Sequence, residues 1–136
     1  MPKARTYLDA NVLLAAWRGQ GDIAKQAMDI LDDPERELVV SDAVWLELMP
    51  KAIYNKAGEE AEFYETIFTG ADHVRWQLDV LYRAHELAQN YGIGAMDAIH
   101  VATALDAGVD EFVSGEKPSK PMFRVSELLM VSLRNA

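Results

Sequence analysis

Short apolar segments alternate with longer segments of helical periodicity along the chain, and this alternation limits the possible fold more than any other feature. The short segments are rich in Val, Leu and Phe, as buried strands are, and they predict strands over residues 5–8, 37–41, 71–76, 110–115 and 122–125. The longer segments repeat apolar residues every three or four positions. They predict a helix after residue 11, further helices over 21–33, 43–51, 61–70, 77–92 and 96–108, and a last helical turn over 126–130. Such alternation is typical of an α/β fold, so we predict a three-layer α/β/α sandwich around a mainly parallel sheet.

Residues that begin or end helices support these segments. Ser41 or Asp42 can provide the N-cap of the helix over 43–51, because their side chains accept hydrogen bonds from free backbone N–H groups. Pro50 is expected to interrupt that helix. Gly92 and Gly108 follow the last apolar positions of two helices, where glycine commonly ends a helix.

The length and the apolar content of the chain predict one domain over residues 1–136. Half of the 136 residues are hydrophobic, which is enough for a sizeable core. The chain has no cysteine, which excludes disulfides and thiolate metal sites and is consistent with a reducing compartment. No uninterrupted apolar stretch approaches the roughly 18 residues that a membrane span needs. We therefore expect no membrane association and a cytoplasmic location.

The charge of the chain restricts its partners. The formal net charge is −9, from 13 Lys and Arg against 22 Asp and Glu. A protein that binds nucleic acid by bulk positive charge would be basic instead. The excess of acids indicates either a solvated acidic surface or carboxylates that converge on a divalent cation, and composition does not separate the two.

Four acids that are far apart in the sequence fall at or near the ends of predicted elements. Asp9 closes the first strand, and Glu47 lies in the helix that follows the second strand. Asp97 stands near the start of the helix that precedes the strand over 110–115, and Glu116 follows that strand. Because open parallel sheets bind ligands outside the carboxyl ends of their strands, these four acids are expected to share one rim of the sheet.

Each acid also has a purely structural interpretation. Asp9 and Asp97 stand where an N-cap or a favourable charge at a helix N-terminus is expected. Glu47 and Glu116 fit ordinary solvated positions, one on a helix and one in a polar loop. We favour the shared site because it explains all four positions together.

His100 follows Asp97 by three positions and is expected on the same helix face. Two roles are open for this side chain. It can orient Asp97 or contact a substrate, or it can pack as a partly buried histidine beside Val101 and Ala104, which is the more common role for such a residue.

Three longer stretches resemble the PIN domain family, and in particular its VapC-type toxin branch. They read YLDANVLL from residue 7, SDAVWLEL from residue 41 and AMDAIHVATALDAGVDEFVSGEK from residue 95. The stretches stand in the family's order and, with Phe123, extend over nearly the whole chain. The most specific part is the helix MDAIHVATALDAG followed by the apolar strand and its Ser-x-acid end.

The resemblance implies an α/β/α sandwich and a ribonuclease that depends on Mg²⁺ or Mn²⁺. Carried over by position, the metal-binding and catalytic acids are Asp9, Glu47, Asp97 and Glu116. Asn11 and Ser114 match the polar positions that support such a site. The chain departs from the family where Glu116 replaces the usual Asp and the segment KPSKP lengthens the run to Phe123. This departure leaves open whether Glu116 is a ligand and whether a second metal ion binds.

The function implied by the resemblance is hydrolysis of RNA phosphodiester bonds by metal-activated water, leaving 5′-phosphate and 3′-hydroxyl ends. The chain would be the toxin of a toxin–antitoxin pair, with RNA as its substrate, an antitoxin protein as its inhibitor and a second copy as its partner in a homodimer. Candidate residues for guiding the RNA backbone, or else ordinary surface cations, are Arg18, Lys51, Lys117, Lys120 and Arg124.

Two other functions remain open. A catalytically weakened PIN-like module would bind RNA or protein, and the altered segment around Glu116 is compatible with it. A small Mg²⁺-dependent phosphatase would use Asp9 as a nucleophile. The second Asp that is usual in that motif is replaced by Asn11, and no cap domain is evident.

Overall fold

A five-stranded parallel sheet forms the centre of the computed structural model, which describes residues 3–134. The strands are β1 (Ala4–Leu8), β2 (Arg36–Ser41), β3 (Asp72–Val74), β4 (Glu111–Ser114) and β5 (Leu129–Ser132). The helices are α1 (Ala10–Arg18), α2 (Gly21–Leu31), α3 (Asp42–Tyr54), α4 (Gly58–Gly70), α5 (Asp79–Tyr91) and α6 (Ala95–Asp106), and a short 3₁₀ helix covers Pro121–Arg124. The predicted α/β fold with a parallel sheet is confirmed.

The strand order β3-β2-β1-β4-β5 places the first strand at the centre of the sheet. Tyr7 of β1 is aligned with Val39 of β2 and with Phe112 of β4, and all pairings in the sheet are parallel. Successive residues of a strand point to opposite faces of the sheet. Tyr7 and Leu8 are both completely buried, so helices cover both faces and the sandwich has three layers.

The ends of three helices form as the sequence predicts. The Ser41 hydroxyl accepts a hydrogen bond from the backbone N–H of Val44 at 3.3 Å, which makes Ser41 the N-cap of α3. Gly92 ends α5 in the left-handed conformation with φ of 67°, and Gly108 adopts φ of 66° just beyond α6. Glycine occupies these positions without the strain that a side chain would bring.

Pro50 does not end α3, contrary to the prediction. The helix continues through Pro50 to Tyr54. Proline inside a helix costs about 3 kcal/mol, but Met49 and Ala52 on either side of it are buried in the core. Burial of this apolar face therefore outweighs the missing backbone hydrogen bond.

The C-terminal part of the chain also differs from the prediction. Residues 122–125, predicted as a strand, form most of the 3₁₀ helix and its C-cap, while the last strand lies over Leu129–Ser132, where a helical turn was expected. Met122 and Val125 are both buried, and their spacing of three residues fits a 3₁₀ turn better than the alternation of a strand. β5 pairs in parallel with β4 and forms one edge of the sheet.

Helices α1 to α6 are nine to thirteen residues long. Between residues 3 and 134, none of the helices combines the length and the apolar character required to span a bilayer. Their buried faces pack on the sheet, and the carboxyl ends of the strands are left to form a concave surface.

Candidate active site

A cavity of about 440 Å³ opens at the carboxyl end of the sheet, and all four acids singled out in the sequence line it. Asp9 directly follows β1, and Glu47 lies in the second turn of α3. Asp97 lies in the first turn of α6, and Glu116 stands two residues beyond β4. Asn11, His100 and Lys120 are also among the lining residues. Residues from four separate parts of the chain therefore face one space.

Asp9 is the N-cap of α1 and also lines the cavity. Its Oδ1 accepts a hydrogen bond from the backbone N–H of Ala10 at 2.8 Å, so it caps α1. Its Oδ2 accepts from the Ser114 hydroxyl at 3.0 Å. Asp9 is only 6% exposed. Burial raises the pKa of its carboxyl group, although the charge of His100 and the hydrogen bond from Ser114 act in the opposite direction.

Asn11 connects the first helix to the loop that carries Glu116. Its Oδ1 accepts from the backbone N–H of Gly115 at 2.6 Å, and its Nδ2 donates to Glu116 Oε1 at 3.2 Å. A Cβ atom at position 115 would lie 3.2 Å from Asn11 Oδ1, so a residue without a side chain favours this close approach. The Ser114 hydroxyl accepts from the backbone N–H of Glu116 at 3.1 Å. Asn11 and Ser114 thus fix the position of the loop.

The same loop is held from the C-terminal end of the chain. The Ser132 hydroxyl in β5 donates to the backbone carbonyl of Glu116. Arg134 Nε donates to the backbone carbonyl of Gly115 at 2.6 Å. The backbone on both sides of the acid is therefore bound to residues from the beginning and the end of the described chain.

His100 is almost completely buried, with 1% exposure, and connects Tyr7 and Ser41 to Glu47. Its Nδ1 lies 2.8 Å from the Tyr7 hydroxyl, which in turn lies 2.7 Å from the Ser41 hydroxyl. Its Nε2 forms a hydrogen bond with Glu47 Oε1 and lies 4.0 Å from Asp9 Oδ1. The chain of contacts from Ser41 to Glu47 fixes the orientation of the imidazole.

Burial of His100 alone would lower its pKa, but the hydrogen bond to Glu47 and the negative charges of Asp9, Glu47 and Asp97 outweigh burial and raise it. The imidazole contacts Glu47 and lies beside Asp9, the two acids closest to it. One ligand atom each of Asp9, Glu47 and His100 lie within 4.8 Å of one another. Of the residues between 3 and 134, these three form the single group of His, Asp and Glu side chains with such a spacing.

Asp97 and Glu116 form a second group on the same cavity, with Lys120 between them. Lys120 Nζ lies 3.4 Å from Asp97 Oδ2 and 3.3 Å from Glu116 Oε1. Burial would lower the pKa of Lys120, but the charges of Asp97 and Glu116 outweigh it and raise the pKa. The four acids therefore fall into an inner group with His100 and an outer group with Lys120.

The donor atoms of this cavity fit a hard divalent cation. Mg²⁺ and Mn²⁺ prefer oxygen ligands, and carboxylates supply most of the polar groups here. Asp9 is a buried carboxylate whose described partners are a backbone N–H, a hydroxyl and a histidine 4.0 Å away. These partners only partly offset the cost of burying the negative charge, so binding of a cation would stabilise the carboxylate.

The other basic residues singled out in the sequence have different surroundings. Arg18 forms an ion pair with Glu60 at 2.9 Å, and Arg124 donates to the backbone carbonyl of Tyr91 at 3.1 Å. Lys51 and Lys117 are exposed. Of these five cations, Lys120 is the one that lines the cavity.

Sequence reasoning did not identify the contacts of Tyr7, Ser41 and His100 with one another. One available signal was the spacing of Tyr7 and Asp9, which places both on the same side of the extended segment. A second was the position of Ser41 at the carboxyl end of the neighbouring strand. The position of the Lys120 side chain had no comparable signal, because it depends on the path of an irregular loop.

A family model for the PIN domain matches residues 6–119. No curated protein matches the chain. Among solved structures, a toxin–antitoxin complex from Klebsiella pneumoniae is 20% identical, with a TM-score of 0.75, covering 96% of this chain and 99% of that one. VapBC2 from Rickettsia felis, bound to a DNA fragment from its promoter, is 16% identical, with a TM-score of 0.72 and coverage of 94% and 98%.

A third structure, the toxin VapC20 from Mycobacterium tuberculosis, is described as cleaving the sarcin–ricin loop. It is 14% identical, with a TM-score of 0.63 and coverage of 79% of this chain and 86% of that one. At such identities the three structures show a shared fold. The family model covers most of the chain, and all four acids lie within the matched residues. The chain belongs to the PIN domain family.

Proposed function

We propose that this protein is a divalent-metal-dependent endoribonuclease that hydrolyses RNA phosphodiester bonds and acts as the toxin of a toxin–antitoxin pair. The observation that carries the proposal is the buried carboxylate of Asp9, which lies with Glu47, Asp97 and Glu116 around one open cavity in a PIN fold. We further propose that it acts in the cytoplasm as a single domain over residues 1–136.

The four acids have the proposed role of forming a negatively charged metal site. A bound Mg²⁺ or Mn²⁺ would supply an activated water and would neutralise negative charge on the phosphate. Asp9 and Glu47 are the inner ligands in this proposal, and Asp97 and Glu116 face the open side of the cavity. Ser114 orients Asp9 by donating to its Oδ2, and Asn11 orients Glu116 through its side-chain amide.

His100 has the proposed role of positioning Glu47. Its imidazole lies against Glu47 on one side and the Tyr7 hydroxyl on the other, so a rotation of the ring would break one of these contacts. The hydrogen bond keeps the carboxylate directed into the cavity although the Glu47 side chain is 38% exposed. A fixed carboxylate loses less conformational entropy when it binds a cation.

The surface beside the cavity supports the proposal of protein partners. An apolar groove of about 430 Å³ lies next to it, lined by Leu46, Trp76, Met96 and Ile99, with Met96 shared between groove and cavity. Leu46 is 68% exposed. Large exposed apolar surface is typical of interfaces. We propose an antitoxin protein and a second copy of the chain as partners, and the described neighbours from Klebsiella pneumoniae and Rickettsia felis are toxin–antitoxin complexes.

The ribonuclease proposal is tested by incubating the purified protein with single-stranded RNA and Mg²⁺ or Mn²⁺. We expect cleavage that stops on addition of EDTA and in the Asp9→Asn and Asp97→Asn variants, with 5′-phosphate ends on the products. Asp29→Asn, on the exposed side of α2, is the matched control and is expected to cleave normally. Cleavage that survives Asp97→Asn would contradict the shared site, and a phosphorylated Asp9 would indicate a phosphatase.

A catalytically weakened binding module is the second candidate. The contact of Lys120 with both Asp97 and Glu116 favours it, because an ammonium group there already neutralises part of the acidic cavity. The same assay distinguishes the two candidates. RNA that is bound but not cut in Mg²⁺ and in Mn²⁺ would support the module.

A further inference from the structure

The cavity holds two groups of acids that differ in their cationic partner. The inner group, Asp9 and Glu47, has a histidine beside it. The outer group, Asp97 and Glu116, has the ammonium group of Lys120 at 3.4 and 3.3 Å. The ammonium group of Lys120 lies between both outer carboxylates, whereas His100 contacts Glu47 and stands 4.0 Å from Asp9 Oδ1. A metal ion at the inner group would therefore meet a histidine, whereas one at the outer group would meet an ammonium group.

The backbone around Lys120 is held in place. Its N–H donates to the carbonyl of Lys117 at 3.0 Å, and its own carbonyl accepts from the N–H of Phe123 at 3.0 Å. Pro121 begins the 3₁₀ helix directly after it, and the completely buried Met122 anchors that helix in the core. The lysine thus extends toward the cavity from an ordered segment.

One carboxylate partner of Lys120, Glu116, is also held in place. Glu116 Oε1, which contacts Nζ, accepts a hydrogen bond from Asn11 at the same time. Asp97 belongs to the first turn of α6. A metal ion held by these two carboxylates would compete with the ammonium group for the space and the negative charge between them. Two cations at such short range repel each other strongly where water is partly excluded.

We propose that Lys120 takes the place of a second divalent cation, so that the protein binds one metal ion at the inner group and presents an ammonium group at the outer group. This inference rests on the proposed nuclease function. An ammonium group has three N–H donors and no preferred plane, so it can contact a phosphate oxygen while it remains near both carboxylates. Lys120 is then a substrate-binding group whose charge is built into the chain and does not depend on metal concentration.

The test counts Mn²⁺ ions bound to the full chain at neutral pH, by calorimetric titration and by electron paramagnetic resonance of the free ion. We expect one ion for the wild type and two for Lys120→Met, which keeps the length of the stem but removes the charge. Lys120→Arg retains a positive charge and is expected to bind one. Lys117→Met is the matched control, because Lys117 is exposed in the same loop and forms no ion pair with residues 3–134.

Two ions on the wild type, or one ion on Lys120→Met, would overturn the role of Lys120 and leave the nuclease proposal intact. A wild-type chain that binds no Mn²⁺ would contradict the metal site itself and this inference with it. RNA cleavage is not needed for any of these measurements, so the failure of either proposal can be recognised separately.

Discussion

The acidic residues at the two ends of the parallel sheet differ in their basic partners. At the amino end, Glu111 accepts from Thr6 at 2.8 Å and from Arg36 at 2.7 Å. Arg5 forms ion pairs there with Glu37 and with Asp72. At the carboxyl end, four acids line one cavity with one histidine and one lysine as close basic partners.

This difference separates stability from function. Carboxylates that are fully paired with arginine satisfy their charge within the fold, and a ligand would gain little from contacting them. Carboxylates that are buried or clustered without such pairing lower the stability of the fold. Such residues are retained where binding of a cation or substrate offsets the loss. The carboxyl end of the sheet is therefore the end at which binding is expected.

The largest effect is expected from Asp9→Asn at the carboxyl end. The substitution removes the negative charge that we propose binds the cation, and loss of metal-assisted charge stabilisation is expected to lower the rate of RNA cleavage about a thousandfold. The measurement is the initial rate of cleavage in Mn²⁺. An unchanged rate in a folded Asp9→Asn protein would show that the two ends of the sheet do not differ in this way.

A large effect on stability, with none on activity, is expected from Glu111→Gln at the amino end. The variant leaves Arg36 without its buried carboxylate partner and should lower the free energy of unfolding by about 2 kcal/mol. Urea denaturation measures the change, and the rate of cleavage should stay the same. Glu37→Gln is the control, because Glu37 is 47% exposed and its ion pair is expected to contribute less than about 1 kcal/mol.

A smaller effect is expected from Tyr7→Phe, which tests whether His100 positions Glu47. Removing the hydroxyl leaves the buried Nδ1 of His100 without its partner, so we expect a loss of about 1 kcal/mol in the free energy of unfolding. The affinity for Mn²⁺ should fall several-fold, because second partners of this kind orient the ligands. A loss of stability with no change in affinity would assign Tyr7 a structural role alone.

The smallest effect is a pH dependence in metal-free protein. Burial raises the pKa of Asp9 above its unfolded value, so the folded state takes up this proton at a higher pH than the unfolded state. The charged form of Asp9 therefore destabilises the fold above its folded pKa, and stability is regained as the pH falls through that value. In EDTA, we expect Asp9→Asn to be more stable than the wild type at pH 8, with a difference that shrinks on acidification. A difference that stays constant with pH would contradict the prediction.

The sequence predicts the fold well because the fold depends on periodic and local signals. The alternation of strands and helices, the N-cap at Ser41 and the glycines at the ends of α5 and α6 all belong to this class. The errors occur where tertiary packing overrides a local preference. Pro50 stays inside a helix because its neighbours are buried, and Met122 is drawn into the core by a turn that no periodic pattern marks.

The candidate site can be predicted only in part from the sequence. The acids could be assigned to one rim because the topology of a parallel sheet determines where its strands end. Their division into an inner and an outer group could not be predicted, since it depends on side chains that cross between elements. His100 reaches Glu47 from another helix, and Lys120 reaches Asp97 from a loop.

The hydrogen bonds that hold the Glu116 loop also determine when during synthesis the site can form. Asn11 contacts this loop from the first helix, and Ser132 and Arg134 contact it from the last strand and beyond. A nascent chain that has left the ribosome only as far as α6 lacks the loop, and one that ends before β5 lacks the residues that hold it. The complete cavity can consequently form only after Arg134 has been synthesised, so a nuclease built in this way would stay inactive while the residues before it are being translated.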